Sequence, residues 1–365
     1  MADVLNFIRP HIRQMPPYEP ILPFDVLSEE LGIPVEELVK LDANENPFGP
    51  LPEVKEALTG LDTLHIYPDP ESRLIRRMLA VHHQIPENQI VMGAGADELI
   101  DLVMRIVIDP GDRILNCPPT FGMYAFDGGL NQAEVITVPR KPDFSLDMEG
   151  IRRAVEQFSP KLLFIASPNN PDGGVLPEAI FQQLVELPLL LVVDEAYIQF
   201  SELGQSYLQK VGSHENLIIL RTFSKWAGLA GLRIGYGIFP QEIVAMLMKA
   251  KQPYNVSAAA EHAAVVTMQH IAKADERIEK IVSSRKDLYT MLENFSWLAP
   301  YPSQANFILC RVIGQSALEV KNFLRQRGIL IRYFNKPGLD DHIRISVGTQ
   351  EQNEKLFAAL KGIGE

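Results

Sequence analysis

The sequence predicts an α/β protein, with a large domain built on a mostly parallel sheet flanked by helices and a smaller α+β domain after it. Three observations predict it. Up to about residue 240, short apolar runs rich in β-branched residues alternate with amphipathic or Gly/Pro-punctuated segments. A long helix-favouring stretch then breaks that rhythm, and beyond it strand and helix patterns resume as a separate unit. With 365 residues, 46% of them hydrophobic, the chain has material for one large core and a second, smaller one.

Taken in order, the proline-rich first 40 residues fit neither pattern and are expected to form an arm that packs on the smaller domain (1–40). The large domain is expected over 41–260, with strands at "QIVMG", "RILNC", "AEVITVP", "KLLFIAS", "LLLVVDE", "NLIIL" and "LRIGYGI". The amphipathic "ADELIDLVMRIV" follows the first of these as a helix. From about Val256 to Phe295 the chain reads as helix throughout, in "SAAAEHAAVVTMQHIAKADERIEKIVSSRKDLYTMLENF". The small domain, expected over 261–365, adds "ANFILCRV", a helical "SALEVKNFLRQRG", "ILIRYF", "HIRISVG" and a last helix. No internal repeat or low-complexity tract interrupts it.

Charge narrows the function classes. The 34 basic and 46 acidic residues give a net charge of −12, which repels polyphosphate backbones and anionic lipid, so nucleic acid and membrane are poor partners. The opening "MADVLNFIRPHIRQMPPYEP" has no apolar signal core, and the longest apolar run, "LPLLLVV", stops at Asp194, far short of a membrane span. The cytoplasm is the expected compartment. Cys117 and Cys310 show no CxxC spacing or Cys/His clustering, so neither a disulfide framework nor a metal site is expected.

The chemistry centres on "RTFSKWAGLAGLRIGYG", residues 221–237, which sets Lys225 just past an apolar strand. A loop lysine is most often a solvated surface charge. Here the neighbours offer no acid to pair with, and small residues let the backbone approach a ligand closely, which suits an amine that bonds a carbonyl carbon. If that carbonyl belongs to pyridoxal 5′-phosphate (PLP), three further groups are required. The ring nitrogen needs a carboxylate, the phenolic oxygen O3′ needs donors, and the phosphate needs backbone N–H groups, hydroxyls and a cation.

Each requirement has a candidate at the carboxyl end of an expected strand, where open parallel sheets bind their ligands. Asp194 ends the apolar "LLLVVDEAY"; it calls for a cationic partner such as a pyridinium, or serves as an N-cap or an internal ion pair. Tyr197 is the candidate donor to O3′, with an ordinary half-buried tyrosine as the alternative. Asn170 lies in "SPNNPDGG", a string that also reads simply as a turn. In "GAGADELIDLV", residues 93–103, Gly93 and Gly95 pass from strand to helix and leave the N–H groups of Ala94, Ala96 and Asp97 free for phosphate. Glu98 replaces the third glycine of a dinucleotide fingerprint, which disfavours a nicotinamide enzyme. Thr222 and Ser224 supply hydroxyls and Arg233 a permanent cation. Phe121 in "PPTFGMY" either stacks on the cofactor ring or is core.

The ordered set "LDANENPFGP", "YPDPES", "GAGADELI", "PPTFGMY", "SPNNPDGG", "VVDEAY", "RTFSKWAGLAGLRIGYG", "KQPYNVS", "PSQANFILC" and "IRISVGT" resembles the fold-type I PLP-dependent aminotransferases, and among them the histidinol-phosphate aminotransferases. The resemblance covers nearly the whole chain. It implies that Lys225 bonds the cofactor, Asp194 meets its ring nitrogen, Tyr197 and Asn170 meet O3′, and Arg233 with Ser224 or Thr222 holds its phosphate. It also implies a homodimer with shared active sites, in which Tyr67 of "YPDP" reaches into the other subunit's site. Arg344 of "IRISVG" would clamp the substrate's anionic group, and Asn46 of "ANENP" would lie on the substrate wall. Arg332 in "ILIRYF" and Tyr18 in "PPYEP" are candidate phosphate or imidazole contacts. On the residues alone, Arg332 reads as a surface arginine, Tyr18 as a packing tyrosine and Asn46 as a turn residue.

Three positions depart from the family pattern. Asp172 stands where threonine is common, Phe121 where tyrosine is common, and Trp226 where a small residue usually follows the lysine, so its ring would trim the pocket. The implied reaction is transamination between L-histidinol phosphate and 2-oxoglutarate, giving imidazole acetol phosphate and L-glutamate in histidine biosynthesis, with Lys225 moving the proton as base and then acid. Histidinol phosphate carries a phosphate and no carboxylate whereas glutamate carries two carboxylates, so one arginine must serve both anions. The alternatives within the fold are an aromatic amino acid aminotransferase and a threonine-phosphate decarboxylase. A PLP-binding regulator domain would need a fused DNA-binding unit, for which the roughly 40 residues before "LDANENP" are too few and too proline-rich.

Overall fold

The computed structural model describes residues 4–17, 22–203 and 205–363. The arm contributes α1 (Pro10–Gln14), α2 (Phe24–Leu31) and β1 (Val39–Leu41). The larger sheet then takes β2 (Ile90–Gly93), β3 (Arg113–Asn116), β4 (Glu134–Thr137), β5 (Leu162–Ala166), β6 (Leu190–Asp194), β7 (Leu217–Thr222) and β8 (Gly235–Ile238). Their order across the sheet is β2-β8-β7-β6-β5-β3-β4. Neighbours from β7 to β4 run parallel, and β8 runs antiparallel to both β2 and β7.

The continuous apolar runs of the sequence follow from burial on both faces. Along the central strands, Leu163, Ile165, Leu191, Val193, Leu217 and Ile219 enter one apolar core, while Leu162, Phe164, Val192, Ile218 and Leu220 enter another. Side chains alternate across a strand, so a sheet covered by helices on both sides has no polar face. The first core is closed by α3 (Pro52–Thr59), α4 (Arg73–His83), α7 (Met148–Phe158), α8 (Glu178–Val185) and α10 (Ala258–Gln269). The second is closed by α5 (Ala96–Val107), α6 (Met123–Leu130) and α9 (Gln241–Ala250). This arrangement leaves the carboxyl ends of β3, β5, β6 and β7 to open onto loops, and those loops carry the chemistry.

The smaller sheet has the order β1-β11-β12-β10-β9, with β9 (Leu298–Pro300), β10 (Phe307–Val312), β11 (Ile329–Tyr333) and β12 (His342–Ser346). Only the β1–β11 pair is parallel. Helices α11 (Ile271–Leu292), α12 (Ala317–Arg325) and α13 (Gln350–Lys361) pack with it. Two expectations shift. The long helical stretch breaks at His270, whose φ and ψ of −113° and 33° leave the helical range, and α10 packs on α3 and α4. The anticipated boundary at 260 therefore falls inside a helix of the larger layer. The arm also divides: Leu27 of α2 packs with Leu38 and Leu330 beside the smaller sheet, but α1 lies against α6, with His11 Nε2 3.2 Å from the carbonyl oxygen of Leu130.

Candidate active site

One cavity opens at the carboxyl ends of the parallel strands, where open α/β sheets bind their ligands. Its walls include Ala96, Asp97, Phe121, Asn170, Asp194, Tyr197, Thr222, Ser224, Lys225 and Arg233, drawn together from positions scattered over the larger domain. Lys225 Nζ lies 3.3 Å from the carbonyl oxygen of Ala43 and forms no salt bridge among the described residues.

Asp194 is the last residue of β6 and only 5% exposed. Its Oδ2 accepts a hydrogen bond from the Tyr124 hydroxyl at 2.7 Å, and its Oδ1 accepts one from the Ala196 N–H at 3.0 Å. Neither partner is a cation. Burial pushes the carboxyl up to about 6; the two hydrogen bonds work against that rise, and the negative charges of Asp97 and Glu195 add to it. A buried carboxylate lining a cavity, with no cationic partner among the described residues, fits a protonated ring nitrogen.

The phosphate end is built on the N-terminus of α5. Its N-cap Gly95 has φ of +85° and no capping side chain, and the Ala96 and Asp97 N–H groups have no protein acceptor among the described residues. A Cβ on Gly95 would lie 2.5 Å from Arg233 Nη2, so glycine is required for the guanidinium to approach the turn. Arg233, itself at a positive φ of 55°, is held by Asp97 Oδ2 at 2.9 Å and the Ala230 carbonyl at 3.1 Å, with Nη1 3.5 Å from Ser224 Oγ. The Thr222 hydroxyl donates to Ser224 Oγ at 2.8 Å. One expectation is corrected here: the Ala94 N–H is not free, because the Glu98 carboxylate accepts it at 2.6 Å. Glu98 also accepts from Asn255 Nδ2 at 2.6 Å, so the residue that spoils the dinucleotide fingerprint ties down the turn. Gly93 and Ala94 shape that turn and do not line the cavity.

The rest of the predicted set divides. The Tyr197 hydroxyl accepts from Asn44 Nδ2 at 3.0 Å. Asn170 Oδ1 accepts from Arg344 Nη1 at 2.6 Å, and Arg344 Nη2 donates to the Asp42 carbonyl at 2.7 Å. Arg332 stands opposite Arg344 in the β11–β12 register, which puts two cations on one face of the small sheet. Asn46 donates to the Trp226 carbonyl at 2.9 Å and lines an adjoining recess with Ser224 and Ser346. Tyr67 is outside the cavity, 79% exposed, with its ring stacked on Tyr254 at 4.6 Å. Tyr18 falls outside the described residues. Trp226 does not trim the pocket; it is 4% exposed, with its ring turned into the core against Phe223 at 5.3 Å. Asp172 is a buried turn residue that accepts from Asn169 Nδ2 and from the Gly174 N–H at 2.8 Å. Tyr124 and Asn44 were not singled out in the sequence, although both sit inside strings already marked, "PPTFGMY" and "LDANENPFGP".

A strand-end lysine, a buried acid without a cation and a glycine-opened helix N-terminus beside an arginine define an enzyme of the fold-type I PLP class. The family described as Aminotransferase class I and II matches residues 36–360, and the chain belongs to it. Several of its relatives share one name. The chain is 51% identical over 356 residues to the chloroplastic histidinol-phosphate aminotransferase of Nicotiana plumbaginifolia, covering 97% of this chain and 86% of that protein. It is 47% identical over 370 residues to the histidinol-phosphate aminotransferase of Roseiflexus castenholzii, covering 99% of each. The crystal structure of the histidinol-phosphate aminotransferase from Sinorhizobium meliloti, in complex with pyridoxal-5′-phosphate, superposes with a TM-score of 0.89 at 28% identity, covering 97% of this chain and 96% of that one.

Proposed function

We propose that this aminotransferase moves the amino group between L-histidinol phosphate and 2-oxoglutarate, yielding imidazole acetol phosphate and L-glutamate, with PLP as cofactor. The observation that carries the reading is Lys225 and the buried Asp194 sharing one cavity, in a chain whose relatives bear that enzyme's name. PLP supplies an electron sink conjugated to the substrate's amine-bearing carbon. With PLP bound, Asp194 would hold a positive charge at the ring nitrogen. Tyr197 and Asn170 would meet O3′, and Phe121 would pack against the ring. The N–H groups of Ala96 and Asp97, the hydroxyls of Thr222 and Ser224, and Arg233 would hold the phosphate, with Gly93, Ala94 and Gly95 forming the turn beneath. The Lys225 amine takes the proton from the amine-bearing carbon and returns it on the other side of the transfer.

Arg344 and Arg332 supply the substrate's anion site. Like charges directly opposite across an antiparallel pair repel, and a phosphate monoester or a carboxylate between them relieves that repulsion. Asn46 completes the wall. The same reading makes the enzyme a homodimer whose subunits complete each other's sites through Tyr67, which fits the exposed apolar group of Leu64, Ile66, Tyr67, Leu74 and Tyr254. No helix among the described residues is long and apolar enough to cross a membrane. Purified, PLP-loaded protein should show half-reaction kcat/KM values at least about tenfold higher for histidinol phosphate than for threonine phosphate or phenylalanine. The reverse ranking would overturn the substrate assignment.

A further inference from the structure

Asn44 is where contacts from both domains converge. It is 1% exposed, and its φ of +56° lies in the left-handed region that asparagine enters more readily than most residues. Its backbone N–H donates to Ser346 Oγ at 2.9 Å, and the Ser346 hydroxyl in turn donates to Asn44 Oδ1 at 3.1 Å. Asn306 Nδ2 donates to the Asn44 carbonyl at 3.0 Å. The remaining amide edge, Nδ2, donates to the Tyr197 hydroxyl at 3.0 Å. Because the serine proton occupies Oδ1, the NH₂ edge is the one that faces the tyrosine. A phenol that accepts a bond on one side keeps its own proton for an acceptor elsewhere, and Tyr197 lines the cavity.

We propose that Asn44 is a positioning residue that aims the Tyr197 proton into the cavity, at the cofactor's phenolic oxygen, and links that aim to the strand carrying Arg344. The proposal rests on the PLP reading of the cavity. Ser346 and Arg344 share β12, and Arg344 also grips the carbonyl of Asp42, two residues before Asn44. The anion-binding strand and the tyrosine are therefore joined through a single amide.

The test uses PLP-loaded protein and reads the pH midpoint of the bound cofactor's visible absorption change. A donor at the phenolic oxygen favours its ionised form, so losing that donor raises the midpoint. Asn44→Asp keeps the size of the side chain and the acceptor for Ser346 but sets a carboxylate oxygen where the N–H stood, drawing the Tyr197 proton away from the cavity. The midpoint should rise by about one pH unit, about tenfold in proton affinity. Tyr197→Phe should shift it in the same direction, and the double variant should match Tyr197→Phe alone. A mere charge effect of the new carboxylate would instead add to the tyrosine's effect. Asn44→Gly retains the left-handed backbone and deletes the amide; it too should raise the midpoint, and it serves if the buried carboxylate disturbs folding.

Additive shifts, or a midpoint unmoved in the Asn44 variants while Tyr197→Phe moves it, would overturn the positioning role and leave the PLP reading intact. A Tyr197→Phe protein with an unmoved midpoint would remove Tyr197 from the phenolic oxygen, overturning its place in the PLP reading and the positioning role with it.

Discussion

The Tyr124 hydroxyl donates to Oδ2 of Asp194 across 2.7 Å, joining α6 to the end of β6 in a fully buried bond. That bond lowers a carboxyl which burial has raised to about 6. Tyr124→Phe should therefore raise it further. PLP affinity of the cofactor-free protein should fall as pH drops through about 6, and in Tyr124→Phe the fall should begin at higher pH. Titrating apoprotein with PLP across pH checks this; superimposable profiles would refute the role given to the bond.

The same carboxyl sets a stability slope. Its folded value of about 6 exceeds its ordinary 3.8, so the folded cofactor-free chain holds more protons than the unfolded chain between them. The stability contribution is full below 3.8 and is lost as pH rises through about 6. Asp194→Asn should lack this slope in urea unfolding of apoprotein, and turnover of its loaded form should drop by about two orders of magnitude or more, since a neutral pyridine is a poor electron acceptor.

Lys225→Ala should abolish turnover and the covalent link to the cofactor. Borohydride reduction of the wild-type holoenzyme followed by peptide mapping should place the label on Lys225. Recovery on another lysine would defeat the assignment.

Gly95→Ala drives a methyl to 2.5 Å from Arg233 Nη2 at a positive φ of 85°. With strain of about 1–3 kcal/mol at such positions, PLP affinity should fall by about tenfold or more. Equilibrium dialysis measures it; unchanged affinity would show that Arg233 does not need its present place.

If Tyr67 serves the neighbouring subunit, mixing Lys225→Ala with Tyr67→Phe subunits should restore tight phosphate binding in one site of the heterodimer. That site has an intact lysine and borrows an intact tyrosine. Affinity as weak as in the Tyr67→Phe homodimer, with subunit exchange verified, would assign Tyr67 to its own subunit.

Much of this was legible in the sequence because it is written locally. An apolar run that ends in Asp194, a lysine among small residues and two glycines between a strand and a helix are short-range patterns whose backbone consequences are fixed by sterics and periodicity. They determined the α/β class, the strand ends and the residues standing on them. What lay beyond reach was partnership at a distance. Nothing in the spacing tells that Asn44 meets Tyr197 across 153 positions, that Tyr124 reaches Asp194 across 70, or that Arg332 and Arg344 face each other. Nor does it tell that Glu98 consumes the Ala94 N–H, or that Trp226 turns into the core while Lys225 turns out of it. Those outcomes depend on strand order, on how the two sheets dock and on which rotamer the packed surroundings permit. Only the tertiary structure decides them, because a hydrogen bond or a ring contact is set by distances of a few ångströms between segments that the chain order leaves far apart.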